Sequence, residues 1–398
     1  MHAILAVWDR SHTVGLKPRN HTRYVEKRKL MKTTAAALIP GQYDWELLEF
    51  DLDEPGVGEV RVRMKVAGLC HSDEHLQHLQ LPMTFIGGHE GAGIVDAIGP
   101  GVTGLEIGDH VACSWIPSCG TCRFCVRGQG NLCDLGINMM SGELANGGFR
   151  FHRDGHDIGA IAATGTFSQF AVLDQRSTVK VDKDIPWEWI SLVTCGVATG
   201  WGAVLNAGKV VAGDSVAIYG CGGIGANAVS AAVQANADIV AVIDPVESKR
   251  EFAQKLGADA VFADAGEAHA DIWERTHGVG VDVAVVTAGV VTSDIIRSAF
   301  DLTRKGGTIV LVGVADDATE ETLQLSSSML TLYGKKVVGT LYGDCNPRVD
   351  VPQLLRMAKH GKLDLDSLVT RRYSLDQIND GFRDMLSGAN IRGLIVHD

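Results

Sequence analysis

The stretch Gly68-Leu69-Cys70-His71-Ser72-Asp73-Glu74-His75 gathers a soft metal ligand, a hydroxyl, two imidazoles and two acids into six consecutive positions. A thiolate there suits a borderline-soft cation, and Cys70 reads as a ligand of a catalytic zinc. Alone the stretch says little, because a buried free cysteine among polar residues is common. Cys119-x2-Cys122-x2-Cys125-x7-Cys133 says more. Four thiolates at this spacing can wrap one ion tetrahedrally, and closed all-sulfur sites are structural zinc sites with no position for a reactant. Iron–sulfur clusters also use four cysteines, at other usual spacings. Of the other five cysteines, Cys113, Cys221 and Cys345 lack ligand partners nearby and read as small core or loop residues. Cys70 and Cys195 remain. With His89, in the glycine-framed Gly87-Gly88-His89-Glu90-Gly91, and a water they would make an open zinc site of the Cys₂His type. Spacing alone does not bring these three together.

A second kind of chemistry lies further on. Ser215-Val216-Ala217-Ile218-Tyr219 runs into Gly220-Cys221-Gly222-Gly223-Ile224-Gly225 and then an alanine-rich stretch of helical character. A strand, this G-x-G-x-x-G and a helix form the dinucleotide-binding fingerprint. Gly220 makes the tight turn, Gly222 lets the backbone approach a pyrophosphate, and Gly225 permits close helix packing, with the helix N-terminus facing the phosphates. Asp244, nineteen residues after Gly225, stands where a carboxylate accepts hydrogen bonds from ribose hydroxyls. The same charge repels a 2′-phosphate, which favours NAD over NADP; Lys249 is within reach of the ribose.

These residues need elements to hold them. From Lys32 to about Cys195, short apolar runs alternate with Gly, Pro and Asp, as in Glu59–Val66 and Gly91–Gly99, and predict a β-rich, barrel-like domain with long loops. After Gly200, β-branched runs at Ser215–Tyr219, Ile239–Ile243, Val281–Val286 and Thr308–Val312 alternate with helical stretches such as Ile224–Ala235 and Glu247–Leu256. That alternation predicts a doubly wound α/β unit with a parallel sheet. The tail from about Leu341 is mixed, with helices expected near Val351–His360 and Leu375–Leu386.

At 398 residues the chain is long enough for two domains. Residues 1–30 carry seven Lys/Arg against Asp9 and Glu26, and read as a basic extension ahead of a natural start at Met31. The net charge of −12 argues against nucleic acid as the main partner, and the lack of an eighteen-residue apolar run argues against a membrane span. No continuous apolar segment with a small-residue cleavage site opens the chain, which points to the cytoplasm, where clustered cysteines suggest metal rather than disulfides.

Together Gly68-Leu69-Cys70-His71-Ser72-Asp73, Gly88-His89-Glu90, the four-cysteine loop, Thr166-Phe167-Ser168-Gln169-Phe170, Cys195-Gly196 with Thr199-Gly200, the glycine fingerprint and Asp244 recur in order in the zinc-containing medium-chain alcohol dehydrogenases. The chain resembles that family from about Lys32 to its end. The resemblance implies a GroES-like catalytic domain from residues 31–196 and 341–398, with a Rossmann NAD-binding domain inserted at 197–340. It implies a catalytic zinc on Cys70, His89 and Cys195, approached by Glu90, and a structural zinc on Cys119, Cys122, Cys125 and Cys133. Zinc lowers the pKa of a bound alcohol so that an alkoxide can push hydride to the nicotinamide. Ser72 takes the alcohol proton and His75 relays it; Asp73 orients His89; Thr199, Gly223 and Ile224 join the cofactor contacts; His71 and Arg392 pair with the pyrophosphate. Trp115 falls where the family places a substrate-pocket aromatic. His78, His152 and His156 carry no assigned role, and neither does Glu74.

The resemblance narrows further. Glutathione-dependent formaldehyde dehydrogenases carry an acid in the loop after the first zinc ligand, yet 76–83 contains no Asp or Glu, and they carry an Arg shortly after the last structural cysteine, yet none occurs between Asp134 and Phe149. Asn131–Gly136, Phe149–His152 and Val242–Glu247 look more like the nitrosodimethylaniline-dependent alcohol dehydrogenases. That similarity implies a tightly held NAD(H) reoxidised in place by an external acceptor such as mycofactocin, a primary alcohol or aldehyde as substrate, and a homo-oligomer. A formaldehyde dehydrogenase acting on an adduct with a different thiol is the alternative enzyme; a non-catalytic zinc-stabilised binding protein is the alternative from another class.

Overall fold

The computed structural model describes residues 30–78, 81–313 and 323–397. The basic extension expected over residues 1–30 lies outside these, apart from Leu30. The first half forms β1 (Leu30–Leu38), β2 (Glu46–Asp53), β3 (Glu59–Gly68), the helix α1 (His71–Gln77), β4 (Phe85–Ile86), β5 (Glu90–Ile98), β6 (His110–Cys113), β7 (Phe151–Arg153), β8 (His156–Ala160), β9 (Phe170–Asp174) and β10 (Thr178–Val181). A closed barrel takes β1-β2-β7-β8-β4, and a second sheet runs β10-β6-β5-β3 with β9 also paired to β3. In β3 the residues Val60, Val62 and Met64 are fully buried while Arg61, Arg63 and Lys65 between them are partly exposed. This alternation comes from the two-residue period of a strand with one covered face.

Two helices follow, α2 (Trp187–Leu192) and α3 (Gly196–Gly202). The chain then winds through β11 (Ser215–Tyr219), α4 (Gly225–Gln234), β12 (Ile239–Ile243), α5 (Glu247–Lys255), β13 (Ala260–Phe262), α6 (Ala265–Arg275), β14 (Val281–Val286), α7 (Ser293–Leu302), β15 (Thr303–Leu311), α8 (Ser327–Leu332) and β16 (Lys336–Gly339). These six strands make one parallel sheet in the order β13-β12-β11-β14-β15-β16. β11 is buried along its whole length, the signature of a strand covered on both faces. The order reverses between β11 and β14, and the crevice at the carboxyl ends of strands at such a reversal is where ligands bind in open α/β sheets. β15 begins at Thr303, before the expected Thr308, because Arg304-Lys305-Gly306-Gly307 continues the strand through a register shift against β14 instead of turning.

The tail supplies α9 (Pro347–Lys359), β17 (Val369–Tyr373), α10 (Ile378–Leu386) and β18 (Arg392–Val396). β18 pairs antiparallel with β3, Leu394 opposite Gly68. The C-terminal tail thus completes the sheet of the N-terminal half and carries Arg392 to the mouth of the Cys70 segment. The expected helix over Leu375–Leu386 starts as one 3-10 turn, closed by a Ser374/Gln377 capping box, before α10 proper.

Candidate active site

Cys70 ends the β3 segment and is the N-cap of α1, and helix periodicity sorts the polar stretch that follows onto two faces. Asp73, Glu74 and Gln77 turn inward and are buried; His71 and Ser72 are exposed and His75 is partly so. Each buried member has a partner. Asp73 Oδ2 lies 3.0 Å from His89 Nδ1, and its Oδ1 accepts the Gly88 N–H at 3.1 Å. Glu74 pairs with His78 at 2.6 Å, and Gln77 Nε2 donates to the Tyr43 carbonyl at 2.7 Å. The Glu74–His78 spacing of four along a helix was the signal available in the sequence for a pair to which no role had been given.

His89 precedes β5, in a loop that only glycine permits. A Cβ on Gly87 would stand 2.3 Å from the Trp45 ring, and Gly88 has φ +87°. Cys195 is the N-cap of α3, more than a hundred residues later. The fold brings one side-chain donor atom from each of Cys70, His89, Glu90 and Cys195 within 4.8 Å of the others, all four residues buried. The donor set fits a cation of zinc's character: two sulfurs, the imidazole nitrogen left by the Asp73 contact, and a carboxylate. Their protonation shows the same demand. The Cys195 thiol and the His89 ring hold Cys70 well below the usual thiol range against its burial. Cys195, facing Cys70 and buried, is pushed well above it. Burial opposes the charge on His89, but Asp73 and Cys70 hold its pKa well above the ordinary value. One thiolate and one imidazolium packed out of water are the arrangement a cation replaces.

Burial raises Glu90 to about 7 despite the pull of Arg392. Glu90 Oε2 accepts from Arg392 Nη2, while Glu90 Oε1 and Arg392 Nε have no hydrogen-bond partner. Arg392 continues onto the glycine loop, where a Cβ on Gly223 would come within 2.6 Å of its Cδ. Ser72 Oγ lies 3.7 Å from Cys70 Sγ, and His75 lies three residues on, along the same helix. His71 reaches across to the loop after β14: a Cβ on Gly289 would stand 3.8 Å from its Nε2. Desolvation lowers the His71 pKa.

The glycine fingerprint takes its expected form. Gly220 has φ +95°, a Cβ on Gly225 would lie 1.9 Å from the Gly220 carbonyl oxygen, and a Cβ on Gly222 would meet nothing within 4 Å, leaving open space before the loop. Gly225 opens α4, with Ile224 as its N-cap. Asp244 is buried at the end of β12; its Oδ2 accepts from Cys221 N at 2.7 Å and its Oδ1 from Val246 N at 2.9 Å. These two bonds fix the carboxylate and leave its remaining lone pairs for a ligand. Lys249 stands partly exposed on α5, and Thr199 is buried in α3.

The four-cysteine lobe lies apart. Cys119, Cys122, Cys125 and Cys133 bring their sulfurs within 4.8 Å of one another. Burial would raise Cys119, but the Thr121 hydroxyl and N–H and the Cys122 N–H draw it down to about 6. Backbone donors aimed at sulfur are what a thiolate site provides. Cys113, Cys221 and Cys345 are buried away from both groups, the first two held at about 12 by burial. His152 has a place the sequence did not give it, 3.0 Å from Asp53 and 2.9 Å from Asp157 across β2, β7 and β8.

Behind Trp115, which the resemblance had singled out, stands a residue the sequence reading missed. Trp115 is edge-on to the His89 ring at 6.1 Å and to Tyr342 at 5.7 Å. Tyr342 is 2% exposed, and its hydroxyl donates to the Val193 carbonyl at 3.1 Å. Its only sequence mark was the adjacent glycine.

Residues 56–183 match the alcohol dehydrogenase GroES-like domain family, and residues 223–360 match the zinc-binding dehydrogenase family. A Mycobacterium tuberculosis protein designated alcohol dehydrogenase D is 49% identical over 369 residues, 92% of this chain and 100% of that one. The chain belongs to the zinc-containing medium-chain alcohol dehydrogenases. The NDMA-dependent alcohol dehydrogenase of Amycolatopsis methanolica is 48% identical over 92% of this chain and 99% of its own. Benzyl alcohol dehydrogenase from Acinetobacter calcoaceticus superposes with a TM-score of 0.86 at 32% identity, covering 93% of this chain and all of that one. This medium-chain dehydrogenase is accordingly a zinc- and NAD-dependent oxidoreductase of alcohols. Among the described residues no helix is long and apolar enough to cross a membrane.

Proposed function

We propose that the chain interconverts primary alcohols and aldehydes, with NAD(H) held in the cleft between a catalytic unit (31–196 and 341–398) and a cofactor unit (197–340), and reoxidised there by an external acceptor. One observation carries the chemistry: Cys70, His89, Glu90 and Cys195 converge from three distant segments beside Ser72. The acceptor part is supported by the 48% identity to the NDMA-dependent enzyme.

Cys70, His89 and Cys195 would hold a zinc ion, which would supply the Lewis acidity that makes an alcohol acidic near neutral pH. Two thiolates and a neutral imidazole balance the ion's charge, so the centre can sit buried without a net charge to desolvate. Asp73 holds the Nδ1 proton of His89 and so directs Nε2 inward. Ser72 Oγ accepts the alcohol proton and passes its own toward His75, which lies on the more exposed face of α1 and returns it to solvent. Arg392 would pair with the pyrophosphate and His71 would donate a ring N–H to it near the N-terminus of α4, where the helix dipole adds to the guanidinium charge. Asp244 accepts from the ribose and refuses a 2′-phosphate. Cys119, Cys122, Cys125 and Cys133 would hold a second zinc that takes no part in the reaction.

The test is an alcohol and aldehyde panel, with and without nitrosodimethylaniline, on protein whose bound cofactor has been released by denaturation and assayed. NAD(H) released only on denaturation, with turnover dependent on the acceptor, is the expected result. Protein that carries no NAD(H) and turns over rapidly on free NAD sinks the acceptor reading, and no alcohol or aldehyde turnover under either condition sinks the whole.

A further inference from the structure

The turn by which the chain leaves the parallel sheet is unlike the other turns among the described residues. Tyr342, Gly343 and Asp344 have φ of +60°, +63° and +54°, three left-handed residues in succession, two of them bearing side chains. Such a run persists only when its surroundings over-determine it. α3 holds one side. Asn206 Nδ2, from the turn after α3, donates to the Gly343 carbonyl at 3.1 Å, Cys345 Sγ donates to the Ala198 carbonyl at 3.3 Å, and a Cβ on Gly202 would stand 1.9 Å from the Gly343 oxygen.

The four-cysteine lobe holds the other side. Asn131, two residues before Cys133 and 4% exposed, donates from Nδ2 to the Leu341 carbonyl at 3.0 Å and to Asp344 Oδ1 at 3.2 Å. Thr340 Oγ1 donates to the same Asp344 oxygen at 2.9 Å. The fit between lobe and turn leaves no slack: a Cβ on Gly130 would stand 2.7 Å from Asn346 Cγ, and Ser118 Oγ donates to Asn346 Oδ1 at 3.2 Å. The turn carries Tyr342, which reaches the catalytic donors by two routes. Its hydroxyl bonds the Val193 carbonyl, two residues before Cys195, and its ring backs Trp115, which is edge-on to His89.

We propose that Asn131 is a positioning residue for the active site: its amide clamps the Leu341–Asp344 turn, so that the four-cysteine lobe sets the place of Tyr342 and, through it, of the Trp115 wall and the Cys195 segment. This gives the lobe a task beyond stapling its own loop. Only the kinetic arm of the test rests on the alcohol-oxidation reading.

The test uses the full chain with Asn131→Ala and, separately, Asp344→Gly. The second removes one of the two acceptors of the Asn131 amide, leaving the Leu341 carbonyl, at a position whose left-handed backbone glycine adopts freely, so it adds no strain. Both variants are expected to keep about two zinc ions per chain, to exchange the amide hydrogens of 340–346 faster than the parent, and to raise the alcohol KM about 2- to 30-fold with a smaller change in kcat. The double variant is expected to be little worse than Asn131→Ala alone, because that change already removes the donor of the Asn131–Asp344 bond. Loss of one zinc per chain from Asn131→Ala, with faster exchange confined to 119–133, would make Asn131 a residue of the lobe alone and overturn the proposal. Unchanged exchange over 340–346 with unchanged KM overturns it equally. If Asn131→Ala does not fold, Asp344→Gly decides by the same readouts. If the parent turns over no alcohol, the exchange and metal measurements decide without the kinetics.

Discussion

Replacing Asp73 with asparagine tests the site through one proton. The Asp73 carboxylate is wholly buried and serves two donors, the Gly88 N–H at 3.1 Å and His89 Nδ1 at 3.0 Å. Asparagine has the same shape but one acceptor oxygen, so its NH₂ group must face one of the two N–H groups it formerly accepted from. A buried donor left unpaired costs about 1–3 kcal/mol, and the imidazole loses the contact that fixes its tautomer and tilt. The loss falls on metal affinity as well as on folding, and about 10- to 100-fold in affinity is expected, equivalent to roughly 1.4–2.8 kcal/mol. Competition against a chelator, read as zinc retained per chain, measures it directly; kcat/KM for the preferred alcohol should fall in parallel. Glu74→Gln is the control one residue away. Its partner His78 is 59% exposed, so the change should cost less than about 1 kcal/mol and leave zinc retention and turnover alone. If Asp73→Asn held its zinc and turned over like the parent, the assignment of His89 as an oriented ligand would fail.

Cys70→Ala should lower zinc from about two ions per chain to about one and cut turnover at least 100-fold, on the order of several kcal/mol of lost Lewis-acid stabilisation; full activity with metal content unchanged would remove Cys70 from the site. Asp244→Ala should shift the ratio of kcat/KM for NAD over NADP by about tenfold or more toward NADP, the worth of one hydrogen bond to a charged group, measured with both cofactors on cofactor-free protein. Asp282 bonds the Ser215 N–H and hydroxyl, each at 2.8 Å, and pairs with Arg304 at the foot of the parallel sheet. Burial opposes its charge, but these partners hold its pKa below the ordinary 3.8. Because the folded value is the lower one, the stabilisation is present above the unfolded value and is lost as pH falls from there through the folded one. Thermal unfolding of Asp282→Asn should therefore lose part of the parent's pH dependence below about pH 4, and an identical acid profile would refute the assignment.

What the sequence made legible follows from how local each cause was. Four cysteines between 119 and 133 bring their sulfurs together through a single loop, so type and spacing were enough. The strands of the parallel sheet showed as β-branched runs because burial on both faces leaves no polar alternation to disguise them. The Cys70, His89 and Cys195 set was not local. It depends on β3, β5 and α3 meeting, and only the likeness to a known family joined those residues beforehand. The Cys70 stretch gave no hint of a helix with a buried acidic face, because Asp73, Glu74 and Gln77 are tolerated inside only by virtue of partners at His89, His78 and the Tyr43 carbonyl. Tyr342 stayed hidden for a related reason: what makes it functional is a left-handed backbone held by Asn131 and α3, and no residue pattern encodes that.

α3 ties the two chemistries together. Its N-cap is Cys195, so one of the four converging donor residues is fixed to its first turn, and its glycines each admit a different neighbour. A Cβ on Gly196 would stand 2.9 Å from Arg392 Nη1, on Gly200 2.1 Å from the Ile224 carbonyl oxygen of the cofactor loop, and on Gly202 1.9 Å from the Gly343 oxygen. Glycine in a helix costs about 1 kcal/mol relative to alanine, and three in seven residues would be a poor helix by propensity alone. The close approaches explain why it is one nonetheless: the helix is a spacer pressed against Arg392, the glycine loop and the Tyr342 turn at once. Hydride transfer needs the donor carbon and the nicotinamide within contact distance and aligned. A methyl group added to any of the three glycines would move Cys195 relative to the glycine loop, and so should lower turnover before it unfolded the protein.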